Sequence, residues 1–267
     1  MDKPLNHRPR KRFGQNFLHD QGVINGIVAA IRPREGEHLV EIGPGMGAMT
    51  EPLLDGCKAM DAVELDRDLI PGLRTQFAVQ GGLTLHNADA LKFDFCALAD
   101  DQRPLRIVGN LPYNISTPLI FNLLAQSHCI QDMHFMLQQE VVNRLAAKPG
   151  GGDYGRLSVM VQYRCKVEKL FTVPPEAFNP PPKVHSAIVR LIPYDTPPIP
   201  AKDEKLLLQL VTQSFQQRRK TLRNNLKKLL DVEIIESLGI DPGRRPETLS
   251  LEEFVHLADA LFAQQAG

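Results

Sequence analysis

The sequence predicts an α/β fold, a parallel sheet covered by helices on both faces, followed by a small domain made only of helices. Three observations carry this. Short apolar runs alternate with helical patterns from His38 to Leu137, the proline-rich stretch Tyr194 to Pro200 interrupts the chain, and the tail beyond it holds a helical spacing of apolar residues. The expected domains are residues 1–195 and 196–267. A chain of 267 residues, 43% of them hydrophobic, can bury a large core and exceeds the usual length of one domain.

After a basic leader, Gly22 to Ile31 carries apolar residues at helical spacing, and Pro33 to Gly36 break the pattern. His38 to Ile42 is a short apolar run ending in Gly43-Pro44-Gly45-Met46-Gly47, and the segment to Leu54 is again helical, so strand, glycine loop and helix follow in order. Ala59 to Leu65 predicts a second strand, Arg67 to Phe77 a helix, Leu83 to His86 a third strand and Leu105 to Gly109 a fourth. Thr117-Pro118 reads as an N-cap with proline at the first helical position, giving a helix to about Ala125 and then a strand over Met133 to Leu137. Gly150-Gly151-Gly152 predicts a mobile loop, and strand-like runs at Val167 to Val173 and Val184 to Ile192 bracket Pro180-Pro181-Pro182. In the tail, Leu207, Leu210, Val211, Ser214 and Phe215 share one helical face, and Ser250 with Glu253 forms a capping-box pattern ahead of Phe254, Leu257 and Leu261.

Lysine plus arginine equal aspartate plus glutamate at 31 each, so any attraction to a polyanion must come from clustering. Two clusters exist. Lys3, Arg8, Arg10, Lys11 and Arg12 crowd the leader; Arg218, Arg219, Lys220, Arg223, Lys227 and Lys228 crowd the tail, where no acidic residue occurs between Leu206 and Leu230. With Leu222, Leu226 and Leu229 at helical spacing, the tail cations gather largely on the opposite side, the pattern of a surface for a phosphate backbone. Cys57, Cys96, Cys129 and Cys165 are dispersed without paired spacing, which predicts buried reduced thiols rather than a disulfide frame or zinc site, and hence a cytoplasmic setting. No apolar run approaches a membrane-spanning length and the leader lacks the apolar stretch of a secretory signal, so no membrane association is expected.

Glycines at 43, 45 and 47 remove side chains where a strand turns into a helix, letting a ligand lie against the backbone. Glu64 closes the next strand about twenty residues on, where a carboxylate accepts from both ribose hydroxyls of an adenine cofactor. Gly43, Gly45 and Ala48 also satisfy a relaxed dinucleotide fingerprint, so a nicotinamide dehydrogenase shares these features. Asp89, just past the third strand, is placed to accept from an adenine amine, or simply to turn the chain.

Gly109-Asn110-Leu111-Pro112-Tyr113 follows the fourth strand. An adenine amine is a poor nucleophile because its lone pair is delocalised into the ring, so its methylation calls for two acceptors that hold the amine hydrogens and aim the lone pair. Asn110 offers a side-chain carbonyl, Pro112 biases Leu111 towards extended backbone so that a main-chain carbonyl is held rigidly, and Tyr113 can stack on the base. Methyl transfer from a sulfonium needs no metal and no strong base, so positioning carries the rate. Phe178, on the stiff connection before Pro180, offers a second stacking face for an extruded base.

These residues together resemble the small-subunit ribosomal RNA adenine dimethyltransferases of the KsgA type, over essentially the whole chain. Lys11 to Leu18 is similar to that family's N-terminal cofactor segment, Glu41 to Gly47 to its glycine loop, Asn110 to Tyr113 to its target-adenine motif, Phe178 with its prolines to its second aromatic segment, and Gln217 to Leu226 to its tail signature. The resemblance implies a Rossmann-like class I S-adenosylmethionine-dependent methyltransferase domain with a helical RNA-binding domain. It implies Asn16, Leu18, Gly43, Glu64, Asp89 and Asn110 around S-adenosylmethionine, and Asn110, Leu111, Tyr113 and Phe178 around the target base. The implied reaction is four methyl transfers to two adjacent adenosines in the 3′-terminal hairpin of small-subunit (16S) rRNA, on an assembling 30S subunit. A monomer is the default expectation. A dehydrogenase leaves the Asn110 motif and the basic clusters without a use. A large-subunit rRNA methyltransferase, a DNA adenine methyltransferase, or an assembly factor with methylation secondary remain open alternatives.

Overall fold

The computed structural model describes residues 16–99 and 102–266, and the side chains among them up to residue 265. The chain divides into two compact units, one of residues 1–142 with 168–193, the other of residues 143–167 with 194–267. The single boundary expected near residue 195 is therefore accompanied by an earlier excursion, because residues 143–167 cluster with the tail.

In the first unit, β1 (Phe17–Leu18) precedes α1 (Gln21–Ile31). Asp20 caps α1 by accepting from the Val23 amide at 2.9 Å, and Ile24, Ile27 and Ile31 are its buried stripe. Then follow β2 (His38–Ile42), α2 (Thr50–Cys57), β3 (Met60–Glu64), α3 (Ile70–Phe77), β4 (Leu83–Asn87), β5 (Leu105–Asn110), α4 (Ser116–Ala125), β6 (Ile130–Gln138) and α5 (Gln139–Ala146), which runs across the unit boundary. After α6 (Arg156–Arg164) come β7 (Cys165–Val173), β8 (Phe178–Asn179) and β9 (Ser186–Pro193). Seven strands form one sheet in the order β4-β3-β2-β5-β6-β9-β7, and β1 pairs separately with β8. The alternation of strands and helices made β2, β3, β4, β5 and β6 parallel neighbours, as expected. The sheet is mixed, however. β9 pairs antiparallel with β6, because residues 174–185 return the chain from β7 without the crossover helix that parallel strands need. One apolar core, with Leu39, Leu53, Leu73, Val108 and Ile188 buried, joins α1, α2 and α3 to the sheet.

Two local expectations are corrected. Helix α4 begins at Ser116 rather than after Thr117, so Pro118 sits inside its first turn, where a missing N–H costs nothing. The cysteines are not all reduced thiols: Cys96 and Cys129 form a disulfide, while Cys57 and Cys165 are free and buried. Their 33-residue separation carries no motif; they meet because the turn at Cys96 folds against the end of α4.

In the second unit, α6 is joined by α7 (Glu204–Ser214), α8 (Leu222–Leu226), α9 (Val232–Ser237) and α10 (Leu251–Ala266). Leu207, Leu210 and Val211 of α7, Leu222 and Leu226 of α8 and Phe254, Leu257 and Leu261 of α10 are buried. The expected capping box is present: Ser250 N donates to Glu253 at 2.7 Å and Glu253 N to the Ser250 hydroxyl at 3.1 Å. The Gly150-Gly151-Gly152 loop is tied down, since Gly150 N donates to Glu247 O at 2.7 Å and Gly152 O accepts from Arg218 at 2.5 Å. Among the described residues no helix is long and apolar enough to cross a membrane.

Candidate active site

β2 pairs with β3 on one side and β5 on the other, so the strand order reverses there, and a crevice opens at the carboxyl ends of these strands. The cavity in this position gathers Asn16, Leu18, Gly43, Gly45, Glu64, Asp89, Asn110, Leu111, Pro112, Tyr113 and Phe178, whereas Gly47 faces Phe77 and Gln76 instead.

The glycine loop forms its floor. Gly45 has φ +59°, and a Cβ there would sit 3.3 Å from the Phe17 ring, so glycine is required by both backbone and space. Glu64, at the end of β3, is buried. One of its oxygens accepts from Gly45 N at 3.2 Å and the other from Asp66 N at 2.8 Å. Burial pushes its carboxyl up, against the pull of these two amides. Each oxygen keeps a further lone pair for a ligand hydroxyl. Asp89 turns the chain, Oδ1 accepting from Leu91 N at 3.0 Å, and the residue is part of the cavity wall.

Asn110 ends β5. Its Nδ2 donates to the Asn16 carbonyl at 3.2 Å, which commits the amide and leaves Oδ1 as the acceptor. Leu111 N donates to Met136 O at 3.2 Å, fixing the motif to β6. The Tyr113 hydroxyl pairs with the Ser186 hydroxyl at 2.8 Å, and burial pushes the phenol up. Phe178 is buried and held by β-pairing with Leu18.

Glu41, inside the motif of the Gly43–Gly47 loop, is a site residue to which the motif assigns no role. It lines the cavity, is wholly buried and accepts from the Thr50 hydroxyl at 2.6 Å. Burial pushes its carboxyl up to about 7. An acidic residue inside an otherwise apolar strand, two residues before a glycine loop, is the signal that marks it. Ser186 had no such signal, because only the tertiary fold brings it to the Tyr113 hydroxyl.

The acceptors suit a cationic adenine nucleoside: the acidic side chains of Glu64 and Asp89 line the cavity beside Gly45, whose missing Cβ leaves the backbone bare. The tail cations Arg218, Arg219, Lys220, Arg223, Lys227 and Lys228 belong to the second unit and are exposed. Arg218 is engaged, its Nη2 donating to the carbonyls of Gly152 at 2.5 Å and Tyr154 at 3.3 Å. The leader cations Lys3, Arg8, Arg10, Lys11 and Arg12, and residues 11–15 of the N-terminal motif, lie outside the described residues.

The family described as ribosomal RNA adenine dimethylase matches residues 6–262. The chain belongs to that family. It is 62% identical over 261 residues to the ribosomal RNA small subunit methyltransferase A of Pseudomonas aeruginosa, covering 98% of this chain and 97% of that protein. The protein of the same name from Saccharophagus degradans is 61% identical over the same shares of the two chains. Among solved structures, a dimethyladenosine transferase from Plasmodium falciparum superposes with TM-score 0.78 at 26% identity, over 90% of this chain and 95% of that one. The 23S rRNA methyltransferase ErmE superposes with TM-score 0.72 at 25% identity, over 92% and 100%. Membership places the fold among Rossmann-like methyltransferases and sets the dehydrogenase alternative aside.

Proposed function

We propose that this chain transfers methyl groups from S-adenosylmethionine to the exocyclic N6 amine of two adjacent adenosines in the 3′-terminal hairpin of small-subunit (16S) rRNA. Ribosomal RNA adenine dimethylation is the activity by which its family is described, and the near-full-length identity to proteins named as small-subunit methyltransferases favours that substrate over large-subunit rRNA. The single observation that carries the chemistry is the commitment of Asn110 Nδ2 to Asn16 in a residue that lines the cavity, which keeps its side-chain carbonyl as an acceptor.

Bound S-adenosylmethionine supplies an electrophilic methyl carbon, activated by the positive sulfur. Glu64 holds the ribose hydroxyls, Asp89 the adenine amine, and the bare backbone at Gly43 and Gly45 lets the cofactor lie close. Asn110 Oδ1 and the Leu111 carbonyl accept the two hydrogens of the target amine, which turns its lone pair towards the methyl carbon. Tyr113 and Phe178 stack on the flipped base, and Pro112 keeps the segment extended. The amine loses its proton after transfer, so no group in the cavity has to act as a strong base. Arg219, Lys220, Arg223, Lys227 and Lys228 bind the phosphate backbone, with Arg218 contributing through its remaining donors. The enzyme acts as a cytoplasmic monomer on the assembling small subunit.

The test uses small subunits from cells lacking the protein and methyl-labelled S-adenosylmethionine. Label should enter two neighbouring adenosines of 16S rRNA as N6-dimethyladenosine. Label in large-subunit rRNA, or in DNA, would replace the substrate proposed here.

A further inference from the structure

The disulfide between Cys96 and Cys129 lies beside His128, an exposed residue whose imidazole nitrogen is within 4.8 Å of both sulfur positions. Both bonded cysteines are half-buried, unlike the enclosed thiols of Cys57 and Cys165. Cys96 opens a single helical turn, Cys96–Leu98, and Cys129 closes the turn Ser127–Cys129 that follows α4.

This link ends a row of ties that begins at the cofactor cavity. Asp89 turns the chain there through its bonds to Leu91 and Lys92. The segment after it is stitched to α4 and its end: Asn122 Nδ2 donates to Ala90 O at 3.2 Å, Gln126 Nε2 to Phe93 O at 3.2 Å, and Gln126 Oε1 accepts from Phe95 N at 2.7 Å. The sulfur bridge is the covalent member of the row. At its other end α4 starts three residues after Tyr113, so the row joins the Asp89 side of the cavity to the helix that carries the target motif.

We propose that Cys96 and Cys129 are a thiol–disulfide exchange site that couples the redox state of the surroundings to the grip on the cofactor. One cysteine thiolate, its proton taken by His128, attacks a sulfur of a small disulfide such as oxidised glutathione and releases one glutathione thiolate. The other cysteine then attacks the mixed disulfide, forming the Cys96–Cys129 bond and releasing the second. Two protein thiols are oxidised and one glutathione disulfide is reduced to two thiols. In a reducing compartment the dithiol is the resting form, and the bridge forms under oxidation. The bridge restricts residues 90–98 before any ligand arrives, so less conformational freedom is lost on binding and affinity rises.

The coupling rests on the cofactor assignment of the cavity, and two readouts separate the two. The full chain is equilibrated in glutathione buffers of rising oxidised fraction, then unfolded, alkylated and weighed. Alkylated cysteines should fall from four to two with a Cys96–Cys129 linked peptide, whereas Cys96→Ser and Cys129→Ser never yield it. His128→Ala should reach the same equilibrium about tenfold more slowly, because it removes a proton acceptor and not a sulfur. Equilibrium dialysis with labelled S-adenosylmethionine should show the oxidised form binding about fivefold tighter than the reduced form, with Cys96→Ser matching the reduced form in every buffer. Full alkylation at every glutathione ratio overturns the exchange site, and equal affinities overturn the coupling. If neither form binds S-adenosylmethionine while the linked peptide still appears, the cofactor assignment fails and the coupling falls with it.

Discussion

Strand β5 carries a buried polar network at each end, four residues apart, and the two ends use polar groups for different purposes. At the amino end, every N–H of the Arg106 guanidinium has an acceptor. Nε and Nη2 bind the two oxygens of Asp132 at 2.9 and 3.1 Å, Nη1 binds Glu37 at 2.7 Å and the Arg32 carbonyl at 3.5 Å, and Nη2 also reaches the Ile31 carbonyl at 2.7 Å. At the carboxyl end, Asn110, a residue of the cavity wall, spends its donor on Asn16 and keeps its carbonyl oxygen as an acceptor. A network with every bond made fixes the ends of α1, β5 and β6; one with lone pairs to spare is ready for a ligand.

Replacement of Arg106 is the most severe way to test that contrast. Arg106→Leu strips the buried Asp132 of its main partner, leaving Arg190 at 3.2 Å and the buried His134 imidazole at 3.8 Å, and should cost about 3–5 kcal/mol of stability in denaturant unfolding. S-adenosylmethionine affinity of the folded fraction should stay within about twofold. An affinity loss as large as the stability loss would mean that the two ends are not separate. Asn110→Ala is the converse. It should slow single-turnover methyl transfer about 100- to 1,000-fold while changing RNA affinity less than about threefold, since its acceptor counts most as the lone pair turns towards the methyl carbon. Equal losses of rate and affinity would make Asn110 a binding residue.

The carboxyl end was the more legible of the two. Asn110-Leu111-Pro112-Tyr113 and the glycine loop are contiguous stretches whose residue types match one chemical need, so sequence alone could assemble the cavity. Arg106, Asp132 and Glu37 are ordinary charged residues at strand ends, and only the β5–β6 register, Arg106 opposite Asp132, brings two of them together. The same limit hid the Cys96–Cys129 pair and the antiparallel β9. Phe178 was legible as an aromatic before a proline run, while its pairing with Leu18 depends on a two-residue ladder too short to show a period.

Glu41 sharpens the comparison through pH. It is buried at the carboxyl end of β2 with one hydroxyl donor, and its carboxyl is pushed up to about 7 from 4.5. An acid whose folded pKa is raised stays protonated in the fold while it ionises in the unfolded chain. Its stabilising contribution is therefore full below about pH 4.5, is lost as pH rises to about 7, and changes no further above that. The total swing is roughly 3 kcal/mol. Thermal unfolding of Glu41→Gln should lose that portion of the slope between pH 4.5 and 7; an unaltered slope would show that Glu41 ionises in the fold as it does in the unfolded chain.

Exposed cations in the second unit give the smallest single effects, because charges in water are screened and act by counterion release rather than by fixed geometry. Arg219→Ala, Lys220→Ala and Arg223→Ala should each lower the slope of log affinity against log salt by about 0.7–0.9 per lost phosphate contact, with the rate at saturating RNA unchanged. Arg218→Ala differs, because its guanidinium also holds the carbonyls of Gly152 and Tyr154. It should add a measurable drop in melting temperature to any change in salt slope. A slope unaffected by all four substitutions would take this face out of RNA binding, and the Arg218 result would then report the Gly150-Gly151-Gly152 loop alone.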